Sequence, residues 1–330
     1  MAGSAPSSEQ VIMRTSIEAK RDRSAALSRR QFITRGGVAL VATGLPLANG
    51  CSTLSRLAYA QPPLVGSQLY GWGQYYERAG KQMSEHINEV LSAVRDCGYD
   101  YAESTLDLDR PENNVHFADR CKSKGLRPVS LDTGGRLHEE GKASETTQKI
   151  LDAAKICRTA GYSIINCNPD PIGREKTDQE LTTQVRALQG LGTGLNQLGM
   201  RLGIHHHGPE LRNRAREFHY NFQNSAPEVV GFCYDVHWVF RGGLQPLEVL
   251  PEYGDRIVSW HLRQSRSGIW WEDLDKGDVD YGAVARYARR YRLTPFFTVE
   301  LALEEGTTVT RSVVENHQRS HNYVRTVFGA

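Results

Sequence analysis

Four side chains of metal-binding type stand at or just past the ends of successive apolar runs: His205 in 201–207, Asp235 in 229–235, His261 in 257–262 and Glu300 in 295–301. Two imidazoles with two carboxylates form a borderline-to-hard donor set. Such a set suits Mn²⁺, Co²⁺, Zn²⁺ or Fe²⁺ better than a metal that prefers thiolate. Any one of these residues alone is more often a satisfied core group, but four in succession, one per run, imply a single divalent ion held by all four. Alternate side chains of a strand share a face. Asp235 therefore lies with Cys233 and Gly231, and His261 with Ser259, while Tyr234, Trp260 and Val299 face the other way. By the same count His205 and His207 share a face and His206 turns toward helix packing. An ion so held would polarise a carbonyl and acidify the neighbouring C–H, and His207, Glu210 or Glu300 could take the proton. Returning that proton elsewhere gives isomerisation or epimerisation, whereas loss of a β-oxygen gives elimination.

Positioning these groups requires a regular scaffold, and residues 61–330 repeat one unit: an amphipathic helix, a glycine, then a short β-rich run. The clearest helix carries Ile87, Val90, Leu91 and Val94 at i, i+3, i+4, i+7 spacing, with Ser84 as candidate N-cap and Gly98 as terminator. The junction returns at Lys124-Gly125-Leu126, Ala160-Gly161-Tyr162 and Leu198-Gly199-Met200, where glycine can take the left-handed turn that leaves a helix. Eight strand-like runs result: 64–70, 99–104, 127–132, 163–168, 201–207, 229–235, 257–262 and 295–301. Eight strands alternating with helices predict a closed parallel (β/α)8 barrel, for which about 250 residues is the usual length. The chemistry of such a barrel sits where its strands end. A doubly wound sheet would need a glycine-rich phosphate turn after the first strand. Gly71-Trp72-Gly73-Gln74-Tyr75-Tyr76 lacks the third glycine and carries bulky aromatics.

The loop after 257–262 offers a substrate wall: Arg263, Arg266, Trp270 and Trp271, then Lys276-Gly277-Asp278. Tryptophan faces stack on sugar C–H surfaces and arginines grip hydroxyls, carboxylates or phosphates. Adjacent tryptophans cannot both point inward from one strand. Tyr70 and Trp72 could form the opposite wall, and Asp280 should cap a helix beginning near Tyr281. The net charge of +2 suggests neither nucleic acid nor an anionic membrane as partner. Six widely spaced cysteines without a CxxC read as buried small hydrophobes.

Residues 1–60 differ in kind. Ser28-Arg29-Arg30-Gln31-Phe32-Ile33 precedes a weakly apolar run from Gly36 to Leu47, which is too short to span a bilayer. The segment resembles a twin-arginine export signal, with Ala58-Tyr59-Ala60 as its cleavage site and a mature chain from Gln61. Cleavage before Cys51, giving a lipid anchor, is the competing reading. A periplasmic, single-domain barrel over 61–330, delivered by the twin-arginine machinery, is the expectation.

The chain also resembles the xylose isomerase-like TIM barrels, over essentially residues 64–328. The resemblance is carried by Gly98-Tyr99-Asp100-Tyr101-Ala102-Glu103, Leu202-Gly203-Ile204-His205-His206-His207, Tyr234-Asp235-Val236-His237, Trp260-His261-Leu262-Arg263, Gly277-Asp278-Val279-Asp280-Tyr281 and Val299-Glu300. It implies a metal at His205, Asp235, His261 and Glu300, and a small carbohydrate substrate lined by Tyr70, Trp72, Glu103, His237, Arg263, Arg266 and Trp271. Many members carry glutamate where His205 stands, and two-glutamate epimerases use it to move the proton. Its loss points to the histidine-rich branch that resembles inosose dehydratase-like and keto-sugar enzymes. Arg263-Gln264 likewise replaces a common Lys-Asp. A metal-dependent isomerase or epimerase acting through an enediolate on a non-phosphorylated sugar or keto-sugar is expected. A dehydratase or lyase is the alternative, and a non-catalytic sugar-binding barrel the reading from another class. An apurinic endonuclease would need extra histidines, but the second and third strands end in Glu103 and Asp132.

Overall fold

Each of the eight expected strands forms, and together they close on themselves. In the computed structural model, which describes residues 62–330, the barrel consists of β1 (Leu64–Gln68), β2 (Tyr101–Thr105), β3 (Ser130–Gly135), β4 (Ile164–Pro169), β5 (Arg201–Ile204), β6 (Gly231–Asp235), β7 (Ile257–Leu262) and, after a short hairpin, β10 (Phe296–Val299). All neighbours are parallel, and β10 pairs with both β7 and β1 to close the ring. The hairpin is β8 (Ser265–Arg266) with β9 (Ile269–Trp270), antiparallel, over the mouth end of β7. The arginine pair, both cleavage readings and Cys51 lie outside the described residues. Among the described residues no helix is long and apolar enough to cross a membrane.

The local signals act as their chemistry dictates, with three corrections. Gly98, Gly125, Gly161 and Gly199 all take positive φ, from 69° to 106°, where a side chain would be strained. Asp280 caps the helix Tyr281–Arg290 by accepting the N–H of Ala283. Ser84, however, is no cap: it lies inside a 3-10 turn, Met83–His86, that runs straight into the helix Ile87–Asp96, so His86 occupies the cap position. The first strand stops at Gln68, whose side chain accepts the N–H of Tyr70 and starts the helix Leu69–Arg78 there. The fifth stops at Ile204, leaving the three histidines on the loop beyond it.

The floor of the barrel is closed by Tyr101, Val129, Ile164 and Val258. Room for them comes from glycine. A Cβ on Gly66 would lie 2.1 Å from the Tyr101 ring, and Cβ atoms on Gly203 and Gly231 would lie 2.8 and 2.5 Å from Val258. Pairing between β6 and β7 slips by one residue at this point, so Cys233 faces Ser259 and Asp235 faces His261. That slip aims both Ser259 and His261 inward. Outside the barrel, Phe232, Tyr234, Trp260 and Phe297 pack on the helices, Trp260 and Phe297 against Phe328. An ionic clamp, in which half-buried Arg311 and exposed Arg319 both meet buried Asp273 and Arg311 also meets buried Glu272, ties the loop after β9 to the segment after β10.

Candidate metal centre

β5, β6, β7 and β10 are consecutive around the barrel, so their mouth ends are brought to one place by closure. One ligand atom from each of His205, Asp235, His261 and Glu300 lies within 4.8 Å of the others, and all four residues are buried. His205 Nε2 is 3.4 Å from Asp235 Oδ2, and His261 Nδ1 is 2.8 Å from Glu300 Oε2.

The other ring nitrogen of each imidazole is occupied. His205 Nδ1 lies 2.5 Å from Asn168 Oδ1, an acceptor that fixes the proton on Nδ1 and turns the Nε2 lone pair inward. His261 Nε2 lies 2.7 Å from Glu103 Oε1. Imidazoles oriented by a far-side oxygen, with the near nitrogen turned toward the other ligands, are the usual support of a metal ligand. The residues present therefore fit a divalent ion of the borderline class.

Electrostatics fit as well. Glu103 is itself fixed by Ser130 and by Asn166 Nδ2 at 3.1 Å, and Ser259 Oγ holds Asn166 at 2.9 Å. Burial alone would push the Glu103 carboxyl up, but His261 and the hydrogen bonds from Ser130 bring it below its ordinary value. Burial works against a charged His261, yet Cys233 and Glu103 outweigh it and hold the imidazole well above its ordinary range. An ion would thus compete with a proton there. Arg263 lies between two of the ligand carboxylates, 3.1 Å from Asp235 Oδ2 and 2.7 Å from Glu300 Oε1. Against a burial penalty that would raise it, Arg263 and His261 hold Glu300 down to about 2.

The two groups proposed as bases part company. His207 is half-buried beside the centre, its ring 4.7 Å from that of His205 and 5.3 Å from Trp238. It does not titrate near neutrality as an unperturbed imidazole would, because burial and His205 hold it down to about 3. Glu210 turns back on its own chain, its Oε2 accepting the N–H of His207 at 2.8 Å. Burial first, and Glu217 second, push its carboxyl up to about 8. His206 packs among Phe218, Phe222 and Phe232, away from the centre.

The expected walls also need correcting. Trp72 is 1% exposed, stacked on His317 at 4.4 Å with Nε1 bonded to Ser67, and has no face left for a ligand. Glu103 is wholly buried, its carboxylate beneath His261. His237 is buried near Phe240 and Trp270, and burial, then Arg263, hold it down to about 3. Arg263 lies under Trp270, 4.6 Å from its ring, and Arg266 stacks on half-buried Trp271 at 4.1 Å. The two tryptophans do diverge. Tyr70 is 39% exposed at the rim.

Asn168, Asn166 and Gln68 were not singled out from the sequence, and Asp132 was noted only as the end of the third strand. Gln68 Nε2 donates to Asp132 Oδ2 at 3.0 Å, and Asp132, Glu103 and His261 form a second group whose ligand atoms lie within 4.8 Å. The available signal was the alternation of Asn166 and Asn168 in an otherwise apolar run.

Comparison with known proteins agrees with this architecture. The family described as xylose isomerase-like TIM barrel matches residues 91–320. Inosose dehydratase from Geobacillus kaustophilus is 26% identical over 229 residues, covering 65% of this chain and 70% of the relative. A sugar phosphate isomerase/epimerase from Parabacteroides distasonis shares the fold with a TM-score of 0.66 at 18% identity, over 85% of this chain and 98% of that one. D-allulose 3-epimerase from Methylomonas sp., solved in complex with D-allulose, gives 0.63 at 14% identity over 82% and 99%. With the family match spanning most of the sequence and the closed eight-strand barrel in place, the chain belongs to the xylose isomerase-like TIM barrels.

Proposed function

We propose that this chain is a divalent-metal-dependent enzyme that enolises a non-phosphorylated sugar or keto-sugar and returns the proton elsewhere, as an isomerase or epimerase. The observation that carries this reading is the convergence of His205, Asp235, His261 and Glu300, with the outer nitrogen of each imidazole held by an oxygen. When bound, a divalent ion supplies Lewis-acid polarisation of the sugar carbonyl and stabilises the enediolate. Arg263 adds a fixed positive charge at the same point. His207, its ring 4.7 Å from that of His205, is the candidate proton acceptor beside the set. Glu300 is the other acceptor within the set.

Elimination from a keto-sugar or keto-glycoside is the second reading, favoured by the likeness to inosose dehydratase and by histidine at 205, where two-glutamate epimerases have a proton carrier. Deuterium uptake from heavy water into a panel of keto-sugars, with Mn²⁺ added, tests both readings at once, since both begin by breaking a C–H bond. Uptake is expected. Its absence across the panel would leave a sugar-binding barrel without catalysis. The variant His207→Ala should slow exchange by about 10²-fold at unchanged metal content; loss of metal in it would make His207 a ligand instead.

The arginine pair Arg29-Arg30 and Ala58-Tyr59-Ala60 support an exported, periplasmic mature form, and Cys51 a lipid-anchored variant of it. Replacing both arginines by lysine should retain the precursor in the cytoplasm, and unchanged export would end the twin-arginine reading.

A further inference from the structure

We propose that a groove above β1 and β2 is a second subsite, which receives the second ring, sugar or aryl, of a two-part glycosidic substrate. This rests on the metal-centre reading for the position of the first ring. Two cavities meet in the groove. The inner one, about 240 Å³, is lined by Gln68, Tyr70, Gly73, Gln74, Glu77 and Thr105. The outer one, about 600 Å³, is lined by Met83, Ser84, Asn113, His116, Phe117 and Arg120. Leu69, Met83 and Ser104 border both, so the two lie side by side.

The inner cavity lies at the mouth ends of β1 and β2, beside the barrel mouth, with Gln68 and Glu103 in its lining. Gln68 lines the cavity and its amide donates to Asp132 at 3.0 Å, and Asp132 belongs with Glu103 and His261. Together the cavities fall in the range of about 300–1,000 Å³ found for small-molecule sites, which is more than one sugar ring needs. Their lining alternates apolar Leu69, Met83, Ile87 and Phe117 with an imidazole, a guanidinium, amides and hydroxyls. That mixture matches a ring with C–H faces and hydroxyl edges. Tyr70, at the lip, is partly exposed.

Two glycines in the helix Leu69–Arg78 give an independent indication. A Cβ on Gly71 would strike the carbonyl oxygen of Leu301 at 2.3 Å, so packing explains that glycine. A Cβ on Gly73 would meet nothing within 4 Å, and its φ is not in the left-handed region. Glycine inside a helix is a destabilising choice that neither packing nor backbone requires here. What the missing side chain does is keep the inner cavity open.

The test measures binding of phenyl β-D-glucoside, cellobiose and D-glucose to the Mn²⁺-loaded protein by ligand-observed NMR, in wild type, Gly73→Trp and Gly73→Ala. Wild type should bind the two glycosides about tenfold or more tightly than D-glucose, the scale of a well-placed apolar contact. The Gly73→Trp variant, which fills the inner cavity, should erase that preference. The Gly73→Ala variant, which leaves room, should keep it and melt higher. Equal preference in wild type and Gly73→Trp, or no preference in wild type, overturns the subsite. Groove-dependent binding without deuterium uptake into any sugar would overturn the metal-centre reading and leave the subsite standing; uptake without groove-dependent binding does the reverse.

Discussion

At the floor of the barrel Tyr101 and Val258 fill room left by Gly66, Gly203 and Gly231, whereas at the mouth each imidazole of the ligand set is pinned by a polar neighbour on the next strand or across the barrel. Space decides the first region. A different hydrophobe of similar volume would serve there, at a cost that depends on fit. Partners decide the second, where an isosteric change that loses one hydrogen bond leaves a buried polar group unsatisfied. Stability and metal affinity should therefore respond to substitutions at opposite ends of the same strands.

The largest effect is expected where the two ends meet, at His261. Removing it in His261→Ala takes a ligand from the mouth and strands the Glu103 carboxylate below. Metal should no longer be retained through gel filtration, and denaturant unfolding should show a loss of about 3–5 kcal/mol, as for a broken buried pair. Metal retained at one equivalent would refute the ligand set. At the floor, Gly66→Ala drives a Cβ into the Tyr101 ring and should cost about 3 kcal/mol, the upper part of the overpacking range. Metal affinity should stay close to that of wild type, and adding Tyr101→Leu should recover part of the stability. Smallest in energy, Asn168→Ala frees the His205 ring without touching a ligand. Chelator competition should show metal affinity about 10–100-fold weaker, with little change in the melting temperature. Should Asn168→Ala instead behave like Gly66→Ala, the division between the two ends fails.

Periodicity and glycine placement made the eight strands legible, because both report what the backbone itself requires. The four ligand candidates were visible for a related reason: each breaks an apolar run at the same relative place. Asn168 breaks β4 in the same way, but an amide is no metal ligand, and its use emerges only once β4 lies beside β5 with Cys167 opposite Ile204. Gln68 and Asp132 became partners only through closure of β1, β2 and β3. Trp72 was misjudged because the group that covers it, His317, comes from the last helix, Val313–Phe328. His207 and Glu210 were offered as bases from their places near the ligand run, and burial moved their acidities in opposite directions, the imidazole down and the carboxyl up.

Arg263, clasped between Asp235 and Glu300, changes what an ion has to do. With a guanidinium already offsetting their repulsion, the two carboxylates can be gathered by folding alone, and the cradle is finished before any cation arrives. Loading would then take place on a folded protein, with His205, Asp235, His261 and Glu300 as the groups that would hold the ion and Arg263 already among their carboxylates. A chelator would strip such a site without unravelling the barrel.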